Sequence, residues 1–240
     1  SEEFDWTKPL DRTGHGVDHV RRIADFQHFC EGYGVVPLYL VDYPIATSEA
    51  AAEVLRGPLA EGKAEVGVQL HPWVNPPFEE ELGEFNSFSG NLPAALERDK
   101  FHRLYEAIIQ NLGKAPLSYR AGRYGVGPNT PAILREHGIA IDTSARSRFD
   151  YSATGGPNFR DLPVQPWWID DERRLMELPL TTVYWGLLRQ LGPFLYPRMW
   201  RIPRLRGALA LIGLLERIPL TPEGVNQTEV LHAIDLAIDD

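Results

Sequence analysis

Two periods of hydrophobic and polar residues alternate along this chain of 240 residues. From Val17 to Glu31, Val17, Val20, Ile23, Ala24 and Cys30 recur at mostly helical spacing, and Gly32 and Gly34 close the segment, which predicts a helix. Val35 to Val41 reads as a strand ending at Asp42. Thr47 or Ser48 caps the next helix, which runs through Leu55 until Arg56-Gly57-Pro58 stops it. In Glu65 to Pro77, Val66, Val68 and Leu70 alternate with Gly67, Gln69 and His71, the period of two of a half-buried strand. Pro72 can neither donate to a ladder nor continue it, so this strand ends at its histidine.

Val74 to Gly90 is long for a connection inside a compact domain and is a candidate functional loop. Asn91 is the expected cap of a helix from Leu92 to Leu112, with Leu96, Leu104, Ala107, Ile108 and Leu112 on one face. Leu117 to Tyr119 predicts a strand ending at Arg120, Asn129 or Thr130 with Pro131 starts a short helix to His137, and Ile139 to Ile141 predicts a strand ending at Asp142. After a polar, glycine-rich stretch from Thr143 to Pro166, Leu175 to Leu178 is the last clear strand, and a helix follows at Asn226 to Ile238. Glu2 to Trp6 reads as the tail of an earlier strand. Alternating strands and helices predict βαβ units and a parallel sheet, closed as a barrel or open, in one α/β domain spanning the chain.

The strand ends carry a second pattern. Asp42, His71, Arg120 and Asp142 each close a predicted strand just before a loop, where parallel α/β architectures gather ligand groups. Strands also end where polarity begins, so the same pattern arises without a site. An imidazole beside Trp73 suits a metal or a proton in an aromatic-walled cleft, or equally a histidine satisfied by neighbouring backbone. Arg120-Ala121-Gly122-Arg123-Tyr124-Gly125-Val126-Gly127-Pro128 puts two guanidiniums, a phenol and three glycines directly after a strand, either an anion clamp or a surface turn with Arg120 in a structural ion pair. The spacing is neither a Walker loop nor a dinucleotide fingerprint, and no Gly-x-Ser-x-Gly elbow is present.

Composition narrows the function classes. A formal net charge of −9 repels nucleic acid, and no Lys/Arg block argues against that. The single cysteine, Cys30, excludes an internal disulfide and suits a reducing, cytoplasmic compartment. The chain opens without a signal-peptide pattern, and no apolar run is long enough to span a bilayer. Between Leu187 and Ile218, however, Arg189, Arg198, Arg201, Arg204, Arg206 and Arg217 interleave with leucines, Phe194 and Trp200. That segment reads either as a peripheral contact with anionic membrane or as helices covering a core.

Taken together, Glu65 to Pro77, the run Tyr119 to Thr130 and Leu40-Val41-Asp42-Tyr43-Pro44-Ile45-Ala46-Thr47 resemble bacterial polysaccharide deacetylase-like proteins of surface-polysaccharide gene clusters, in the NodB-homology, carbohydrate esterase family 4 superfamily. The likeness runs over nearly the whole chain. It implies a distorted (β/α)7 barrel, incomplete at both ends, that removes acetyl groups from sugars with a divalent metal, usually zinc. Matched by position, Glu2 and His71 are the implied metal ligands, with Gln69 where the family often has another histidine. Arg120 and Tyr124 match the arginine motif, which orients the catalytic aspartate and helps hold the oxyanion, and Asp142 matches the motif that supports this arginine. The family's leading aspartate would fall before Ser1 and its late histidine after Asp240. Trp73 and Trp185 are the implied sugar-stacking residues, with Arg123 and Asp42 as further substrate contacts.

The leading expectation is thus deacetylation of an N-acetylated, free or lipid-linked sugar in O-antigen or capsule assembly. The alternatives are a non-catalytic carbohydrate-binding relative, favoured by Gln69, and a different metal-dependent C–N hydrolase on the same barrel.

Overall fold

The computed structural model describes residues 2, 8–200, 202–221 and 226–239. Apart from Glu2, the expected strand tail at the start lies outside the described residues, as does Arg201. Two compact units make up the chain: Ser1–Ser144 with Tyr151–Pro157 and Trp167–Leu178, and Ala145–Asp150 with Asn158–Pro166 and Pro179–Asp240.

In the first unit, helix α1 (Ile23–Gly32) precedes β1 (Leu38–Val41), α2 (Tyr43–Ala46), α3 (Glu49–Ala60) and β2 (Glu65–Leu70). Helix α4 (Ala94–Leu112), β3 (Ser118–Ala121), α5 (Thr130–Glu136), β4 (Ile141–Asp142), β5 (Trp167–Trp168) and β6 (Met176–Glu177) follow. The sheet order is β1-β2-β3-β4-β6-β5. All pairs are parallel except β5 with β6. This is the mixed α/β, parallel-sheet architecture that the alternation predicts, and among the described residues the strands do not close into a ring.

Period two in β2 does what the pattern demands: Val66, Val68 and Leu70 are all buried, each contributing about 2 kcal/mol of apolar burial. They join Leu55, Leu59, Phe101, Leu104, Ile108 and Leu134 in one core. Several expected helix boundaries move: the helix expected from Val17 opens as a 3-10 turn over Asp18–Arg22 and is α-helical only from Ile23. Ser48 caps α3 by accepting from Ala51 N at 3.3 Å, but the helix runs through Pro58 to Ala60, because Leu59 is 3% exposed and its burial favours one further turn. Asn91 does not cap α4. Its amide donates to the carbonyls of Phe85 and Gly155, both at 2.8 Å, tying the long loop together, and Pro93 takes the cap position.

In the second unit, β7 (Thr182–Trp185) and β8 (Glu216–Pro219) form an antiparallel pair. Between them lie α6 (Gly192–Arg198) and α7 (Pro203–Leu211), and α8 (Gln227–Asp239) follows. Val183, Ile218 and Ala233 form the small core of this unit. No helix among the described residues is long and apolar enough to cross a membrane.

Candidate metal centre

Strand register decides which side chains meet. Leu40 pairs with Gly67, and Gln69 with Arg120, while Val68 pairs with Tyr119 and Tyr119 with Asp142. Side chains alternate along a strand, so Gln69 and Arg120 share one sheet face and Tyr119 and Asp142 the other. Asp42 and His71 keep extended backbone one residue past β1 and β2, which carries both onto the Gln69 face. Asp42 caps α2 there, accepting from Ile45 N at 3.2 Å through Oδ1. Its other oxygen accepts from Glu2 N at 2.5 Å.

The result is a buried cluster of Glu2, Asp42 and His71, with one ligand atom from each within 4.8 Å of the others. His71 Nδ1 lies 2.6 Å from Glu2 Oε2 and 3.5 Å from Asp42 Oδ2. Burial pushes the Glu2 carboxyl up to about 7. Burial also raises Asp42, but its hydrogen bond with Glu2 and the nearby imidazole outweigh that and hold it below the usual carboxylate value.

A divalent cation fits these residues. Glu2 Oε1 is buried and has no hydrogen-bond partner among the described residues. Two carboxylates and one imidazole form a donor set suited to zinc or a similar divalent ion. The sequence reading placed Glu2 and His71 in this role but took Asp42 for a substrate contact. Its position one residue beyond a strand and at a helix cap was the available signal, and only the β1–β2 register shows that it faces the imidazole.

Two groups hold the imidazole itself, and a third holds the turn that follows it. Trp73 stacks on it with centroids 4.6 Å apart and planes at 14°. At Gly122 the β3 chain passes so close that a Cβ would sit 2.2 Å from His71 Cδ2, so only glycine fits. Beneath the following turn, the Lys100 ammonium is fully buried and donates to the carbonyls of Pro72 (3.0 Å) and Asn75 (2.5 Å), with Glu80 at 3.0 Å. Neither Gly122 nor Lys100 stood out in the sequence for this purpose.

The other expected residues are placed as follows. Trp73 is 1% exposed, so its ring supports His71 and presents no face to a sugar. Arg120 Nε donates to the Thr143 carbonyl (3.2 Å) and hydroxyl (3.0 Å). Asp142 does not hydrogen-bond that arginine: it accepts from Ser144 N at 2.9 Å and from the Ser144 hydroxyl, which in turn accepts from Ala121 N at 2.9 Å. Asp142 thus braces the end of β3, and burial pushes its carboxyl up to about 6. Arg123 and Tyr124 both adopt left-handed backbone. Arg123 reaches Ser87 at 2.5 Å and Glu84 at 3.0 Å, beside a cavity of about 430 Å³ that Lys8, Leu10 and Leu82 also line. Tyr124 stacks on Tyr151 at 5.9 Å. Trp185 belongs to the second unit, where it stacks on His232 at 5.8 Å beside a cavity of about 470 Å³.

No protein-family model matches the chain, and no curated protein sequence does. Among solved structures, the chain is similar to a Mycobacterium smegmatis protein assigned as a polysaccharide deacetylase, at 20% identity and a TM-score of 0.45 over 68% of this chain and 45% of that one. IcaB from Ammonifex degensii is 17% identical with a TM-score of 0.37, over 57% of this chain and 56% of that one. Puue allantoinase is 14% identical with a TM-score of 0.40, over 99% of this chain and 76% of that one. The chain spans about half the length of the first two of these.

Proposed function

We propose that this chain is a metal-dependent hydrolase that removes the acetyl group from an N-acetylated sugar. The observation that carries the reading is the buried Glu2, Asp42 and His71 cluster at the carboxyl ends of β1 and β2, whose Glu2 Oε1 has no hydrogen-bond partner among the described residues. Glu2, Asp42 and His71 are the residues that would hold the cation. Bound there, a zinc-like ion supplies Lewis-acid polarisation of an acetyl carbonyl and lowers the pKa of water. The protein's own contribution is positional: Trp73 and Gly122 fix the imidazole plane, and Asp42 keeps its second oxygen on the cluster while the first caps α2. Burial strengthens each of these electrostatic contacts relative to water.

The sugar class follows from the resemblance of the strand-end motifs to polysaccharide deacetylases, and the same likeness supports a cytoplasmic place in O-antigen or capsule assembly, on a free or lipid-linked saccharide. A second reading, a carbohydrate-binding relative without catalysis, is favoured by Gln69 standing where the family often has a histidine. Acetate release from N-acetylglucosamine oligomers separates the two. Release that stops with a chelator, returns with zinc and is lost in His71→Ala supports the hydrolase. Release indifferent to the chelator, or none at all from the metal-loaded chain, removes it.

A further inference from the structure

The second unit gathers arginines around shared aromatic rings. The Arg217 guanidinium on β8 lies 3.4 Å from the Phe149 centroid and 5.2 Å from that of Trp200. Arg146 covers the same Phe149 at 4.1 Å. Arg206, on α7, and Arg160 approach Trp200 at 5.1 Å and 6.0 Å. Single cation–π pairs stabilise, but several cations sharing two rings repel one another at these separations. In a chain of net charge −9, that crowding calls for a counter-charge.

For three of these arginines the described residues supply little of it. Among the described residues no carboxylate pairs with Arg148, Arg206 or Arg217, and Arg160 meets Asp161 only at 3.8 Å. Main-chain carbonyls take part of the load: Arg217 Nη1 donates to Arg148 O, and Arg148 Nη1 to Arg160 O at 3.5 Å. The Nε atoms of Arg148, Arg206 and Arg217 are buried with no partner, as is the Tyr184 hydroxyl. Each of these orphans can donate. An acceptor carrying several negative oxygens would satisfy Arg148, Arg206 and Arg217 together, and guanidinium forks match that chemistry in phosphates.

We propose that this arginine and aromatic cluster binds the phosphate or diphosphate group of a phosphorylated ligand. The group could come from a soluble phosphate ester or from an anionic lipid headgroup. A lipid source has its own support, since Leu187, Leu211 and Ile212 on the same unit are 84%, 89% and 66% exposed. The proposal does not depend on the metal centre, because every residue in it belongs to the second unit.

The test titrates the full chain, in the presence of a chelator, with inorganic pyrophosphate, following calorimetry and tryptophan fluorescence. In parallel, the chain is sedimented with vesicles of phosphatidylglycerol or of phosphatidylcholine alone. Saturable pyrophosphate binding, or sedimentation with phosphatidylglycerol vesicles only, upholds the site and names its source. Arg206→Gln weakens that binding at least tenfold, the exposed Arg189→Gln leaves it unchanged, and His71→Ala retains it. Should Arg206→Gln lose its circular-dichroism signature, Arg160→Gln replaces it with the same expected loss. No saturable binding to either probe, or equal weakening by Arg189→Gln, overturns the proposal.

Discussion

Glu97 offers a test of the packing beneath the glycine-rich turn. It sits on α4 at 1% exposure and accepts from the Thr130 hydroxyl at 2.5 Å, while the Thr130 oxygen accepts from Gly127 N at 2.9 Å. Burial pushes its carboxyl from 4.5 up to about 7. The folded state thus holds this proton more tightly than the unfolded chain does. Its contribution is fully present below pH 4.5 and is lost as the pH rises through about 7. A shift of that size corresponds to about 3 kcal/mol. Glu97→Gln keeps the shape and an acceptor oxygen for Thr130 but cannot ionise. At pH 5 the variant and the parent chain are expected to melt within about 1 kcal/mol of each other. At pH 8 the variant is expected to be more stable by about 3 kcal/mol, a rise in Tm of roughly 6–12 °C for a chain of this size. Other buried carboxyls titrate in both proteins and cancel in the difference. Calorimetric scans at half-unit pH steps read this directly, and a Tm difference constant from pH 5 to pH 8 would falsify the burial argument.

The remaining predictions concern the walls of the metal centre. Lys100→Met leaves the Pro72 and Asn75 carbonyls and Glu80 without their buried partner, and is expected to cost about 3–5 kcal/mol in urea unfolding. Because that turn carries Trp73 against His71, zinc affinity measured by competition with a chromophoric chelator should fall with it. Gly122→Ala drives a methyl into the imidazole and is expected to lower zinc affinity at least tenfold; an unchanged affinity would mean the ring is not clamped by β3. Away from that centre Gly207→Ala is the contrasting case, since its Cβ meets nothing within 4 Å inside α7, and should raise stability by about 1 kcal/mol in the same unfolding assay.

Much of the first unit was legible from the chain. The period of two in β2 and the helical face of α4 are local patterns backed by burial, and they survive folding because nearby residues set them. The two-residue strands β5 and β6, and the β7–β8 pair, were less legible because so few positions show a period. Pro58 and Asn91 misled for a related reason: a breaker or a cap has a local preference, and tertiary contacts of Leu59 and of the Phe85 and Gly155 carbonyls override it. At the candidate site the residue pattern marked His71, and the family resemblance added Glu2. Which side chains face one another depends on register between strands that lie far apart in the chain. That is why Asp42 emerged as a partner of His71, Asp142 as a brace for β3, and Trp73 as a buried support.

The central claim is that Glu2, Asp42 and His71 together hold a divalent cation. The most direct measurement is elemental analysis by plasma mass spectrometry of the purified chain, equilibrated with zinc and passed through a desalting column, beside His71→Ala and Asp42→Asn. The account predicts about one ion per parent chain, retained through the column, and little in either variant. Equal metal in all three proteins, or none in the parent chain, contradicts it.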